Sequence, residues 1–116
     1  MKFVEKSLII RLLNKTPMRI IAMTFNGKIY LKDTLEKTNS ITINHEKIHA
    51  VQQAEVGMTR FLYLYFKDFF KHWIKSHSWA NAYYKISFEQ EAYQNQYNFK
   101  YLETRRHRAW ERRVIK

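Results

Sequence analysis

His45-Glu46-Lys47-Ile48-His49 is the segment of this chain best suited to chemistry. On a helix, residues i and i+4 stand one turn apart on the same face, so both imidazoles can reach a single ion. An H-E-x-x-H helix of this kind binds zinc through its two histidines, while its glutamate serves as a general base and does not ligate. At 3.6 residues per turn, Glu46 projects about 100° away from His45. From there it can activate a zinc-bound water, whose pKa the metal lowers to about 7. The bland alternative is a pair of solvated histidines on a surface helix. Local signals favour an ordered helix over 41–56. Thr38, Asn39 and Ser40 offer N-caps, Gly57 is a natural C′ residue, and no Pro intervenes.

A catalytic zinc site takes a third protein ligand and keeps one open position. The candidates are His72, His77, Glu89, Glu91 and His107. Treating 82–99 as one helix and stepping about 100° per residue from Glu89, Ala82, Ile86, Phe88, Ala92, Tyr93, Tyr97 and Phe99 all fall within about 100° of it. Glu91 instead falls among Ser87, Gln94, Asn95 and Asn98. A carboxylate in the middle of an apolar face needs a partner. A metal is one such partner, and a salt bridge to a Lys or Arg is the other. His72 lies on an aromatic helix and His77 in the turn after it, where surface or capping roles are commoner. His107 sits in a run of arginines that opposes a cation.

The elements that must position these residues follow from composition and pattern. The chain has 116 residues, which fits one domain spanning 1–116; 46% are hydrophobic and 16% aromatic. Only two Gly and one Pro occur, so helices should dominate. Pro17 marks a break, and residues 5–13 read equally well as a short helix or a strand. Asn26-Gly27 between two β-rich runs signals a hairpin, with strands at about 19–25 and 28–32. Helices are expected at 41–56, at 59–75, and from Trp79 far toward the C-terminus. The fold class is therefore α+β, mainly helical, with an N-terminal β-hairpin packed on about three helices. Cys is absent, which excludes a disulfide scaffold and thiolate metal sites.

His45 to Gln53, followed after an aromatic helix by Phe88-Glu89-Gln90-Glu91-Ala92-Tyr93, resembles the gluzincin metallopeptidases. It is most similar to small bacterial members that pair an H-E-x-x-H-x-x-Q helix with a later E-x-E-A-Y segment. The resemblance covers residues 20–100. It implies zinc held by His45, His49 and Glu89, with Glu46 as catalytic base. It also implies an edge strand beside the cleft, expected here at Ile29, Tyr30 and Leu31, that pairs with an extended peptide substrate. Many gluzincins carry Asp four residues after the ligand glutamate to support a ligand histidine. Tyr93 stands there instead, and a phenol cannot accept a hydrogen bond as a carboxylate does. Tyr83, Tyr84, Tyr93 and His77 are the candidates for stabilising an oxyanion.

The formal charge of +11 attracts acidic partners, anionic lipid or nucleic acid, whatever the fold. The run Arg105, Arg106, Arg108, Arg112, Arg113 and Lys116 reads as a solvated helix end. Residues 61–74 are apolar almost all round, which fits a buried helix. A face with Lys67, Lys71 and Lys75 also fits an anionic membrane surface. Nucleic acid is a poor fit, because no DNA or RNA module is recognisable. Arg11 splits the N-terminal apolar run and no cleavage site follows, so no secretory leader is expected. The expected location is the cytoplasm or its membrane surface. Two functions follow: a zinc-dependent peptidase, or a catalytically inactive zinc protein that binds membrane or a partner.

Overall fold

The computed structural model of the chain describes residues 2–4, 7–14, 22–32 and 39–112. The fold is α+β and mainly helical. Three short strands, β1 (Lys2–Val4), β2 (Ala22–Phe25) and β3 (Lys28–Leu31), form one sheet in the order β1-β3-β2. Helix α1 (Leu8–Leu13) follows β1. Beyond the sheet run α2 (Ser40–Val56), α3 (Met58–Ser76), α4 (Trp79–Lys85), α5 (Ser87–Asn95) and α6 (Tyr101–Thr104), then a 3₁₀ turn at Ala109–Arg112. Pro17, residues 19–21 of the expected first strand, Thr38, Arg113 and Lys116 lie outside the described residues.

The hairpin forms as its turn sequence predicts. Asn26 and Gly27 take φ of 51° and 84°, the pair of positive values that a type I′ turn requires. Helix α2 also keeps its expected limits. The Asn39 side chain accepts from the Thr42 N–H at 3.1 Å, and Gly57 closes the helix by donating its N–H to the Gln53 carbonyl. Gly57 sits at φ 84°, ψ 149°, so α3 departs immediately in a new direction.

Two expectations are corrected. First, the strand carrying Ile29, Tyr30 and Leu31 is central and not an edge. It pairs antiparallel with β2 on one side and parallel with β1 on the other. Ile29 and Leu31 are wholly buried. The reason is Lys2–Val4, three residues too short to show a strand period in the sequence. The outer strand on the α2 side is β2.

Second, the long helix expected from Trp79 is broken at Ile86 and ends at Asn95. Ile86 is wholly buried and extended, at φ −58° and ψ 131°. Side chains from elsewhere satisfy the backbone groups freed by the break, as buried amides require. Asp68 of α3 accepts from the Ser87 N–H at 2.7 Å, and Gln90 donates to the Tyr84 carbonyl at 2.7 Å. Asp68 also puts a negative charge at the start of α5, where the helix dipole favours it.

The core between α3, α4 and α5 is Phe61, Phe69, Ala82, Ile86 and Phe88, with Trp110 against Phe88 at a ring separation of 4.7 Å. The backbone of Gly57 lies in a region that only glycine adopts freely, so Gly57→Ala should cost about 1–3 kcal/mol. Denaturant unfolding at neutral pH measures this, and an unchanged midpoint would contradict the assigned backbone conformation.

Candidate metal centre

The inward face of α2 is polar. Asn44, His45, Glu46, His49, Gln52 and Gln53 are all buried. Buried polar groups persist only with hydrogen-bond partners, and each of these has them. Asn44 donates to the carbonyls of Gln96 (2.8 Å), Asn98 (3.2 Å) and Asn95 (3.3 Å), which caps the C-terminal end of α5. Gln53 docks the hairpin: its amide donates to the Thr24 carbonyl at 2.8 Å and its oxygen accepts from the Asn26 N–H at 3.2 Å.

These anchors bring α5 across α2 so that Glu89 meets both histidines. Glu89 Oε1 lies 3.0 Å from His45 Nε2 and 3.0 Å from His49 Nε2, and the two nitrogens are 3.2 Å apart. The three residues are 2–6% exposed. Their donor atoms form a group that could hold a metal ion. The opposite oxygen of Glu89 accepts from the Tyr65 hydroxyl at 2.6 Å, which fixes the carboxylate plane.

The outer nitrogen of each imidazole is also held. His49 Nδ1 lies 2.8 Å from Gln52 Oε1, and His45 Nδ1 lies 2.8 Å from Gln96 Oε1. The Gln52 amide nitrogen donates to the Phe88 carbonyl and to Glu91 Oε1, both at 3.0 Å. Those partners only accept, so Gln52 must present its oxygen to His49, and Nδ1 must carry the proton. Each imidazole thus turns its Nε2 toward Glu89 while a glutamine oxygen holds its outer nitrogen, as an outer acceptor holds a ligand histidine.

The electrostatics agree. Burial alone would lower the His49 pKa, but the charge and hydrogen bond of Glu89 outweigh it and raise it to about 9. Burial would raise that of Glu89, but the His49 charge and the bonds from both imidazoles hold it well below the carboxylate range. Burial and the Glu89 charge push Tyr65 and Tyr83 well above the ordinary phenol value. The same two causes push Tyr93 up to about 12. All three therefore stay neutral donors at physiological pH.

Glu46 stands beside the trio and outside it. Its Oε1 accepts from the Thr24 hydroxyl at 2.7 Å, and the same hydroxyl lies 3.0 Å from its carbonyl. Its charge acts on His49, Tyr65, Tyr83 and Tyr93. Tyr93 packs edge-on against His45 at 4.6 Å, with Tyr83 behind it at 6.4 Å.

His77 takes the surface and capping place expected of it: it is exposed and caps α3 at a φ of 54°. It lies twelve residues beyond Tyr65, which is about 18 Å along the helix. His72 pairs with Asp68 at 3.4 Å, and exposed His107 lies 3.3 Å from Glu55. Tyr84 is exposed, although its ring lies 5.4 Å from that of Tyr93.

Glu91 is the larger correction. It was expected on the polar side, yet it is 1% exposed. The break at Ile86 invalidates a wheel drawn through 82–99, and α5 is covered on every side, with residues 88–92 all buried. The salt bridge weighed for Glu89 belongs to Glu91. Arg105 Nε lies 2.5 Å from Glu91 Oε2, and its other nitrogens grip Glu55 at 2.6 and 2.9 Å. The Tyr101 hydroxyl adds a bond to Glu91 at 2.7 Å. Arg105 is therefore no part of a solvated helix end. It ties the C-terminal segment to α2 and α5, and through Glu91 and Gln52 it supports His49.

Sequence reasoning missed Tyr65, Gln96, Thr24, Glu55 and Arg105. Only Gln52, three residues after His49, stood where helical spacing could have flagged it. Comparison with family models, curated proteins and solved structures finds no match.

Two outcomes follow. Gln52→Leu should weaken metal affinity about 10–100-fold, read by competition with a chelating dye. Arg105→Met leaves Glu91 buried and uncompensated, and should cost about 3–5 kcal/mol at pH 7. Hydrogen bonds from Arg105 and Arg108 overcome burial to hold Glu55 below its ordinary 4.5. That stability exists above pH 4.5 and fades as pH falls through the depressed value. The gap between wild type and Arg105→Met in denaturant midpoint should therefore narrow on acidification below pH 4.5; a gap independent of pH would refute the pairing.

Proposed function

We propose that the chain is a zinc-dependent metallohydrolase, most consistent with a gluzincin-like peptidase. The observation that carries this reading is the convergence of His45, His49 and Glu89, with the Glu46 carboxylate alongside but engaged elsewhere. Two imidazoles and one glutamate are a donor set of catalytic zinc sites. Tetrahedral coordination at 2.0–2.1 Å requires donor atoms about 3.3 Å apart. The separations of 3.0, 3.0 and 3.2 Å come within a few tenths of that. The residues therefore fit zinc, which when bound supplies Lewis acidity toward water and a substrate carbonyl.

The chain's own groups account for the rest. Glu46, with Oε1 held by Thr24, takes the proton of the attacking water at Oε2 and returns it to the leaving nitrogen. Tyr83 and Tyr93 keep their protons, so either can donate to a developing oxyanion. A peptide strand would have to pair with β2, since β3 is enclosed. Gln53 already occupies the Thr24 carbonyl, which leaves the Ala22 end of that edge.

A second reading has its own support. The ligand residues are nearly dry, as suits an ion that ties α2 to α5 without turnover. A pair of substitutions separates the two. Purified protein should carry about one zinc per chain, and His45→Ala should lose it. Glu46→Gln should keep the metal and lose hydrolysis of a peptide library. Retained zinc in His45→Ala removes the ligand assignment, whereas hydrolysis persisting in Glu46→Gln removes the mechanism.

A further inference from the structure

We infer that the outer face of α3 is a docking surface for anionic lipid. Tyr63, Phe66, Phe70 and Ile74 are 53–65% exposed. At 100° per residue they span an arc of about 80°. Exposed Arg60, Lys67, Lys71 and Lys75 occupy the next arc of about 80°. A contiguous apolar stripe on an exposed helix marks an interaction site.

The stripe is not a core that failed to close. Phe61 and Phe69 on the inner side already pack against Ala82, Ile86 and Phe88, and Tyr65 reaches Glu89. The helix cannot turn its outer rings inward without giving up those contacts. Trp79 at the start of α4, 45% exposed, packs on Phe69 at 5.2 Å and extends the aromatic surface.

Charge decides the occupant. The only acidic residue of α3 is Asp68, and it points inward to the Ser87 N–H. The outer face is therefore purely cationic, on a chain of formal charge +11. Two copies meeting through this face would set like charges together. Anionic headgroups complement it, while rings of Tyr and Trp settle at the headgroup level and Phe and Ile enter below. Long lysine stems let the ammonium groups reach phosphates beside the apolar stripe. No described helix is long and apolar enough to cross a membrane, so the contact is with the surface. Tyr65 projects about 140° from the stripe, so docking leaves the metal cluster on the side away from the lipid.

Flotation of the whole chain with vesicles of phosphatidylcholine alone, and of phosphatidylcholine with phosphatidylserine, tests this. Wild type should float only with the phosphatidylserine vesicles and detach as salt is raised. Replacing Lys67, Lys71 and Lys75 together by Gln should weaken partitioning about 100-fold, or roughly fivefold per lysine. The double variant F66S/F70S, whose net charge is unchanged, should also lose binding, with far-UV circular dichroism confirming an intact fold. Failure of wild type to float with phosphatidylserine vesicles overturns the inference. So does undiminished binding of F66S/F70S, which would mean net charge alone is responsible. A lipid-free dimer dispersed by F66S/F70S would assign the face to a second copy instead, and capture of polyuridylate without flotation would assign it to single-stranded nucleic acid.

Discussion

Two imidazole nitrogens and one carboxylate oxygen, 3.0–3.2 Å apart and almost dry, cannot all be lone pairs facing one another. A positive species must lie among them, since buried charge without compensation is costly. A proton answers part of the demand, and this is what holds the His49 pKa near 9. A metal ion answers it with all three donors at once. Every other feature of the α2–α5 contact can be read as fixing those three atoms so that the demand persists.

The fixing is done by groups that hydrogen-bond outward from these three residues. Tyr65 holds the far oxygen of Glu89, Gln52 and Gln96 hold the far nitrogens of the imidazoles, and Glu91 with Arg105 holds Gln52. Such a network rigidifies a site only if all its members are satisfied. Here it draws on α2, α3, α5 and the C-terminal segment. Thr24 belongs to a different element again, β2, and it fixes Glu46. The proposed base and the two histidines thus share a helix but are positioned by independent contacts.

Much of this was legible in the sequence, for local reasons. The hairpin followed from Asn26-Gly27, the limits of α2 from its capping residues and Gly57, and the pairing of His45 with His49 from helical spacing. Glu89 was reached by a wheel that assumed one continuous helix. It stood for the right residue because Phe88, Ala92 and Glu89 lie within α5 alone, where the period is intact. The same wheel misplaced Glu91, because the break at Ile86 reorients everything before it. That break has no Pro or Gly to announce it. It depends on Asp68 and Gln90, whose contacts are tertiary. The parallel pairing of β1 with β3 is likewise a non-local event. It moved Ile29 and Leu31 from an expected edge to the centre of the sheet.

The charge of the chain gains meaning from where its few acids lie. A field of +11 opposes any dication that approaches from solvent. Yet four of the ten Asp and Glu residues, namely Glu46, Glu55, Glu89 and Glu91, are gathered at the α2–α5 contact and its flank. Arg105 is shared between two of them, Glu55 and Glu91, as a single cation paired with both. Glu46 and Glu89 have no arginine or lysine partner among the described residues, so their charge is directed at the histidine pair. Coulombic interaction strengthens as water is excluded. A local pair of carboxylates in a dry site therefore outweighs distant, screened lysines at the surface. The basic residues govern what the chain approaches, and the buried acids govern what can be held inside it.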